Sequence, residues 1–416
     1  MMTRRTFATL LAGSAAVPGV GRAQTTAARA IYYASVGPEL GWYDIDIAEG
    51  ALAARGAVTL PANVQYVWPH PSRRYLYVVS SNGGPGLIPG DRHLASAFRI
   101  DATGALASHG EPQALPSRPI HCSVDRAGAY LLTAFNHPSG VTVHRINPDG
   151  TIGAVVNQPE KPDGGIFAHQ ILTTPENQGA ILVTRGNNAE AGKPEDPGAL
   201  KLYGFKDGVL TDRGSVAPGG GIGFGPRHLD FHPAKPWVFV SIERQSELHV
   251  YRLEDSGSLA PRPMFVKTAL AAPGNLRPTQ AAGAIHVHPN GRFVYLTNRN
   301  SRVVEVDGHK VFGGGENNVA VFSIDQESGE PTLIQNVDAR TNHLRTFAID
   351  PSGRLLIAAS IQPIAVRDGH GVGTLPAARV LYRIGDDGKL TFVRKYEVDT
   401  GKAMQFWSGI VTLAAS

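Results

Sequence analysis

The chain has 416 residues, 42% of them hydrophobic and 18% charged, with 48 glycines, 30 prolines and a formal charge of +4. Apolar runs separate the turn residues, so this composition excludes disorder and suits an all-β protein with a large core. The small charge excess is not gathered into basic stripes with interleaved aromatics, and nucleic acid is not expected as a partner.

The first residues read as an address rather than as fold. Thr3-Arg4-Arg5-Thr6-Phe7 precedes the weakly apolar stretch 8–20 and the small-residue site Gly21-Arg22-Ala23, the pattern of a twin-arginine export signal. The apolar stretch is too short and too rich in Gly and Ala to anchor in a bilayer, and no later segment is long enough to span one. The expectation is a signal peptide over 1–23, which engages the twin-arginine export machinery, and one domain over 24–416, periplasmic or secreted. Removing 1–23 takes away three arginines and no acid, so the formal charge falls from +4 to +1. Nothing marks an oligomer interface, and a monomer is expected. The single cysteine, Cys122, can form no internal disulfide and reads as a buried, inert thiol.

From Gln65 onward a unit recurs: an apolar run, a turn, then a second run rich in Val, Tyr and Phe. It starts at Gln65, Ile120, Ala168, Arg227, Ala284 and Arg345, and its turns fall near Pro71, Asp125, Pro175, Pro233, Pro289 and Pro351. The spacings are 54, 50, 58, 56 and 62 residues. Self-similarity at this period, built from strands and turns, predicts a β-propeller with four-stranded antiparallel blades. A seventh blade can be assembled from 30–36 and 42–47 together with 403–413, closing the ring with strands from both termini and removing the exposed edge. Seven blades share 393 residues at about 56 each, which matches the spacing.

In the fourth unit the strands are expected at 227–231, 237–242, 247–253 and 264–270. Folding the first hairpin about Lys235 pairs Arg227 with Glu243. The same operation brings His169 close to Arg185, and 281–284 close to Arg299. These side chains should therefore gather at one end of the channel. The connections 81–94, 185–199, 300–318 and 361–377 leave from the same end, are long, and are rich in Gly, Pro and Asn, as loops that build a binding site are. Two of them contain Asp-Gly-His, at Asp307 and at Asp368. The stretch 218–225 is glycine-rich but lacks the Lys-Ser/Thr of a phosphate loop and opens no helix.

The phrases Gly225-Pro226-Arg227-His228-Leu229-Asp230-Phe231-His232-Pro233, running on to Glu243, and Ala284-Ile285-His286-Val287-His288-Pro289, running on to Arg299, are distinctive. They resemble the seven-bladed lactonase family, which includes bacterial 6-phosphogluconolactonase and fungal carboxy-cis,cis-muconate cyclase. The resemblance covers residues 30–412 and is strongest over 167–301. It implies a site of one histidine, two arginines and a glutamate, which carry over to His169, Arg227, Arg299 and Glu243. Opening a lactone requires a base for water and fixed positive charge near the oxyanion. Glu243 or His169 can be that base, and Arg227 beside Glu243 should depress its pKa and so favours His169. Arg185, His121, His286 and His343 are further candidates for holding substrate. His70, His232 and His288 precede turn prolines and read as structural, whereas His228 is expected to pack between blades. His286 and His288 could pair on a metal but lack a nearby third ligand, so a site with no metal and no cofactor is expected. The reading is an exported lactonase acting on a small-molecule lactone, a sugar or carboxylated one. A lactonising cycloisomerase and a non-catalytic binding propeller remain open alternatives.

Overall fold

The computed structural model describes residues 29–414 apart from 86, 87, 276 and 370. The twin-arginine segment and His370 lie outside the described residues. Seven antiparallel blades of four strands form the ring, as the repeat predicts, and in blade one a two-residue strand, Gln113–Ala114, adds to the third strand. The innermost strands of blades one to six are Asn63–Pro69, Pro119–Val124, Ala168–Thr173, Pro226–Phe231, Ala281–Val287 and Leu344–Ile349. Blade seven takes its inner strand, Ser408–Thr412, from the end of the chain and its other three, Ala30–Val36, Glu39–Asp46 and Ala51–Thr59, from the beginning. The register Ala34↔Ser408 to Ala30↔Thr412 closes the ring. Strand four of blade four is shorter than expected, Phe265–Thr268.

The second strand of each blade is covered on both faces, which explains why its sequence is continuously apolar rather than alternating. Trp237–Ile242 and Leu355–Ser360, for example, are buried at every position. Polar side chains then latch blade to blade. His70, His232 and His288 each reach the carbonyl of a turn glycine in the next blade, Gly128, Gly291 and Gly353, at 2.8–2.9 Å. The hydroxyls of Tyr33, Tyr77 and Tyr295 donate in the same sense to the carbonyls of Gly104, Gly150 and Gly388. The His-Pro histidines thus hold the scaffold, and Cys122 is fully buried.

One irregularity recurs. In blades one to six the pairing between the first and second strands slips at the same end, leaving Gln65, Ile120, His169, Arg227, Gly283-Ala284 and Arg345 outside the regular ladder. A bulge re-aims the side chain it carries. The expected pairing of Arg227 with Glu243 is accordingly corrected: Pro226 pairs with Ile242, and the Glu243 amide donates to the Gly225 carbonyl at 2.7 Å. In blade three Ala168 pairs with Thr184, and the Arg185 amide donates to the Phe167 carbonyl. Ala281 does pair with Arg299. Two of the long connections fold into hairpins, Val303–Val306 with His309–Phe312 and Ile364–Asp368 with Gly371–Leu375, which pack on one another.

Candidate active site at the channel mouth

Four of the bulged residues, Ile120, His169, Arg227 and Arg345, and the ends of the second strands line a cavity of about 510 Å³ at the end from which the long connections leave. His169, Arg185, Arg227, Glu243, Arg299 and His343 line it together. Glu243 sits among three guanidinium groups. Its Oε1 accepts from Arg299 Nη2 at 2.8 Å and lies 3.7 Å from Arg185 Nη1, while its Oε2 lies 3.6 Å from Arg227 Nε. Arg299 Nη1 also stands 3.4 Å from His343 Nε2. Arg185 stacks over the Phe167 ring at 4.0 Å. Phe167 and His343 both hold left-handed backbone, φ 59° and 54°, immediately before or one residue before their inner strands, a strained geometry that recurs at binding sites.

Burial and like charge set the protonation states. Burial raises the Glu243 carboxyl, but the fields of Arg299, Arg185 and Arg227 together outweigh that and hold it below its usual value. Burial, then repulsion from Arg299, lowers Arg227 to about 9, still protonated at neutral pH. Burial and the Arg227 charge keep His169 well below the usual histidine range, so its ring is neutral. Four buried polar atoms of the lining make no hydrogen bond within the protein: His169 Nδ1, Arg244 Nε, and Arg227 Nε and Glu243 Oε2, which face one another at 3.6 Å. Buried polar atoms without a hydrogen bond are costly, and they cluster at functional sites.

The profile of the family described as Lactonase, 7-bladed beta-propeller, matches residues 26–363. The chain belongs to the seven-bladed β-propeller lactonase family. It is 30% identical to the 6-phosphogluconolactonase of Cronobacter sakazakii over 347 residues, covering 81% of this chain and 90% of that one. With the 6-phosphogluconolactonase of Bacillus subtilis it shares 29% over 329 residues, 76% of this chain and 83% of the relative. Among solved structures, the Pseudomonas aeruginosa periplasmic gluconolactonase PpgL superposes with a TM-score of 0.69 at 20% identity, over 92% of this chain and 99% of that one. The 6-phosphogluconolactonase-like protein of Bacteroides uniformis gives 0.68 at 18%, over 92% and 99%. At these identities the structural likeness speaks for the fold.

Not every candidate joins this cavity. His121 is fully buried on the channel axis, with its ring 4.1 Å from Tyr66 and 6.1 Å from His228. Because His121 belongs to blade two and His228 to blade four, that contact puts His228 in the channel as well, which corrects its expected place between blades. The bulge at Arg227 turns the following residue inward. His286 lies at the opposite mouth, in a separate apolar cavity of about 320 Å³ with Trp68, Phe347 and Trp407. There its Nδ1 stands 3.5 Å from Asp230 Oδ2. Three arginines that are not among the sequence candidates, Arg118, Arg244 and Arg345, line the same cavity. Arg345 opens the sixth repeat as Arg227 opens the fourth, so the repeat alignment itself carried the signal. Among the described residues no cluster of three or more His, Cys, Asp or Glu could hold a metal ion, and the fixed positive charge at this mouth comes from arginine.

Proposed function

We propose that this protein hydrolyses a lactone at the arginine-lined mouth, with His169 as the base that activates water, and that its substrate is an exported-compartment sugar lactone or carboxylated lactone. The observation that carries the reading is the convergence on one cavity of His169 Nδ1, which makes no hydrogen bond, with the Glu243 carboxylate and the guanidinium groups of Arg227 and Arg299. Both groups are unprotonated at neutral pH and both are weakened as bases by their surroundings, but His169 Nδ1 makes no hydrogen bond within the protein, whereas Glu243 Oε1 is already engaged by Arg299. Glu243 instead spaces the guanidinium groups, and Arg227 meets the oxygen that becomes negative as water adds. The new C–O bond forms at the carbonyl carbon, the ring C–O bond breaks, and the proton taken from water passes to the departing ring oxygen. The product is a hydroxy acid. The twin-arginine pattern at Arg4 and Arg5 and the family's inclusion of sugar lactonases support an extracytoplasmic sugar or carboxylated lactone as substrate.

The test is a pH-indicator assay of the purified protein on a lactone panel, run beside His169→Gln, Glu243→Gln and Arg227→Ala. The expected outcome is loss of kcat by about 100-fold or more in His169→Gln, as for removal of a general base. Glu243→Gln should lose stability as well as activity, because it leaves three guanidinium groups uncompensated. Wild-type turnover that survives in Arg227→Ala would move the chemistry elsewhere. Product without solvent oxygen, in isotopically labelled water, would assign a cycloisomerase instead of a hydrolase.

A further inference from the structure

The channel has a second mouth, and none of the residues around its cavity lines the arginine-rich one. Tyr66 and Trp68 of blade one, Phe347 of blade six and Trp407, which leads into blade seven, supply aromatic surface there. Among the described residues no Lys or Arg joins them. His228 is the floor of this cavity. It is 5% exposed, and its Nδ1 lies 3.2 Å from Arg227 Nη1. A guanidinium only donates, so Nδ1 accepts and the neutral ring carries its proton on Nε2. That N–H meets no acceptor among the described residues, although its ring stands on the cavity lining. The Tyr66 hydroxyl of the same lining also makes no hydrogen bond among them. The remaining polar groups are matched within the protein: Thr346 Oγ1 and Ser408 Oγ lie 3.0 Å apart, and at the rim Asp230 Oδ2 accepts from the Val287 amide at 2.9 Å. His286 stands beside Asp230 and meets the Phe347 ring edge-on at 4.7 Å. A buried donor without an acceptor is costly, and aromatic walls around a few convergent polar groups are how small-molecule sites are built.

We propose that this second mouth binds an uncharged, flat aromatic molecule whose carbonyl, or a comparable acceptor, takes the hydrogen bond of His228 Nε2. The Arg227 charge behind the ring polarises the imidazole and strengthens that donor. The same charge disfavours a cation despite the aromatic walls, and a lining without Lys or Arg leaves an anion unpaired. A volume of about 320 Å³ sits at the small end of ligand pockets and suits one or two rings. The site is at the other end of the channel from the arginine-lined mouth and does not depend on the hydrolytic reading.

Two of the chain's four tryptophans, Trp68 and Trp407, line this cavity, so their indole N–H resonances report binding at it. The test is an NMR titration of the purified protein with 1-indanone, indane, benzoate and phenyltrimethylammonium. 1-Indanone should shift both resonances and bind at least about tenfold more tightly than indane, the scale of one buried donor left unmet. Benzoate and phenyltrimethylammonium should bind more weakly than 1-indanone. His228→Phe keeps a ring and removes the donor, and should bring the preference for 1-indanone over indane to about one. His228→Gln, whose amide can present an N–H in place of Nε2, should retain part of the preference and serves if the Phe variant fails to fold. A wild-type preference near one, no measurable binding of 1-indanone, or tighter binding of either charged probe would overturn the site. So would shifts confined to Trp42 and Trp237, or a preference that survives in His228→Phe. Lactone turnover, present or absent, changes none of these outcomes.

Discussion

Neutral histidines dominate the axis of this ring. His169, His228 and His343 are each held well below the ordinary histidine range by burial and then by neighbouring guanidinium charge, and burial lowers His121 to about 3. If His169 is the base, it must be unprotonated to act, and its depressed pKa moves the acid limb of the rate profile downward. The profile of kcat/KM should therefore stay level from about pH 8 to about pH 6.5, with no fall at the usual histidine pKa. An inflection at or above that value would assign the base to another group. Stability carries the same sign. In the unfolded chain these rings bind protons near pH 6.5, and in the folded one they do not, so their stabilisation is complete above that pH and is lost as pH falls toward the folded values. Thermal melts should drop between about pH 6.5 and about pH 4, with a shallower slope in His121→Asn; an unchanged slope would count against it.

At the level of the strand, the bulge is the device that makes a site from a repeat. A regular inner strand alternates its side chains, but the slip at Ile120, His169, Arg227 and Arg345 turns one residue of each of four blades into the mouth. Blade five answers the same demand with Gly283, and for a packing reason: a Cβ there would come within 2.2 Å of Thr297 Oγ1. Gly283→Ala should therefore destabilise the protein by about 1–3 kcal/mol, the range for overpacking a filled interior. It should also weaken the hold on Arg299, which leaves from the same hairpin. A melt and an assay of this one variant check both; wild-type stability would mean that Thr297 can yield.

On the scale of the molecule, the five-residue strand Ser408–Thr412 carries the closure. Among the described residues it is the only strand that brings the C-terminal part of the chain into blade seven, and the segment before it supplies Phe406 to the cavity. Truncation after Gln405 should open the ring between blades six and one and expose the edge of Ala30–Val36, an invitation to pairing between molecules. The expected result is aggregation or a broadened, non-cooperative melt, read by light scattering and calorimetry. A monomeric, cooperative truncated protein would show that six blades and an open seventh suffice.

Blade number, strand order and the use of both termini were legible in the chain because each repeat carries its own turn and its own doubly buried strand, and these are local properties. The resemblance added His169, Arg227, Glu243 and Arg299, and simple hairpin folding already brought them to one end. That folding was one residue out at Arg227, since a bulge leaves no mark in hydropathy. Arg345 was written at the head of its repeat, yet its Nε donates to the carbonyl of Phe406, a residue 61 positions away that no local pattern links to it. His286 looked like His121 and His343 in the sequence and went to the other mouth because it lies two residues before His288, where Asp230 stands before His232 in blade four, whereas His121 directly follows its bulge and His343 precedes its inner strand. The sequence by itself determined the repeating fold and the residue types available for chemistry. Which side chains share a cavity and which histidines stay neutral were decided only by closing the ring, because charge, burial and distance across the channel belong to no single blade.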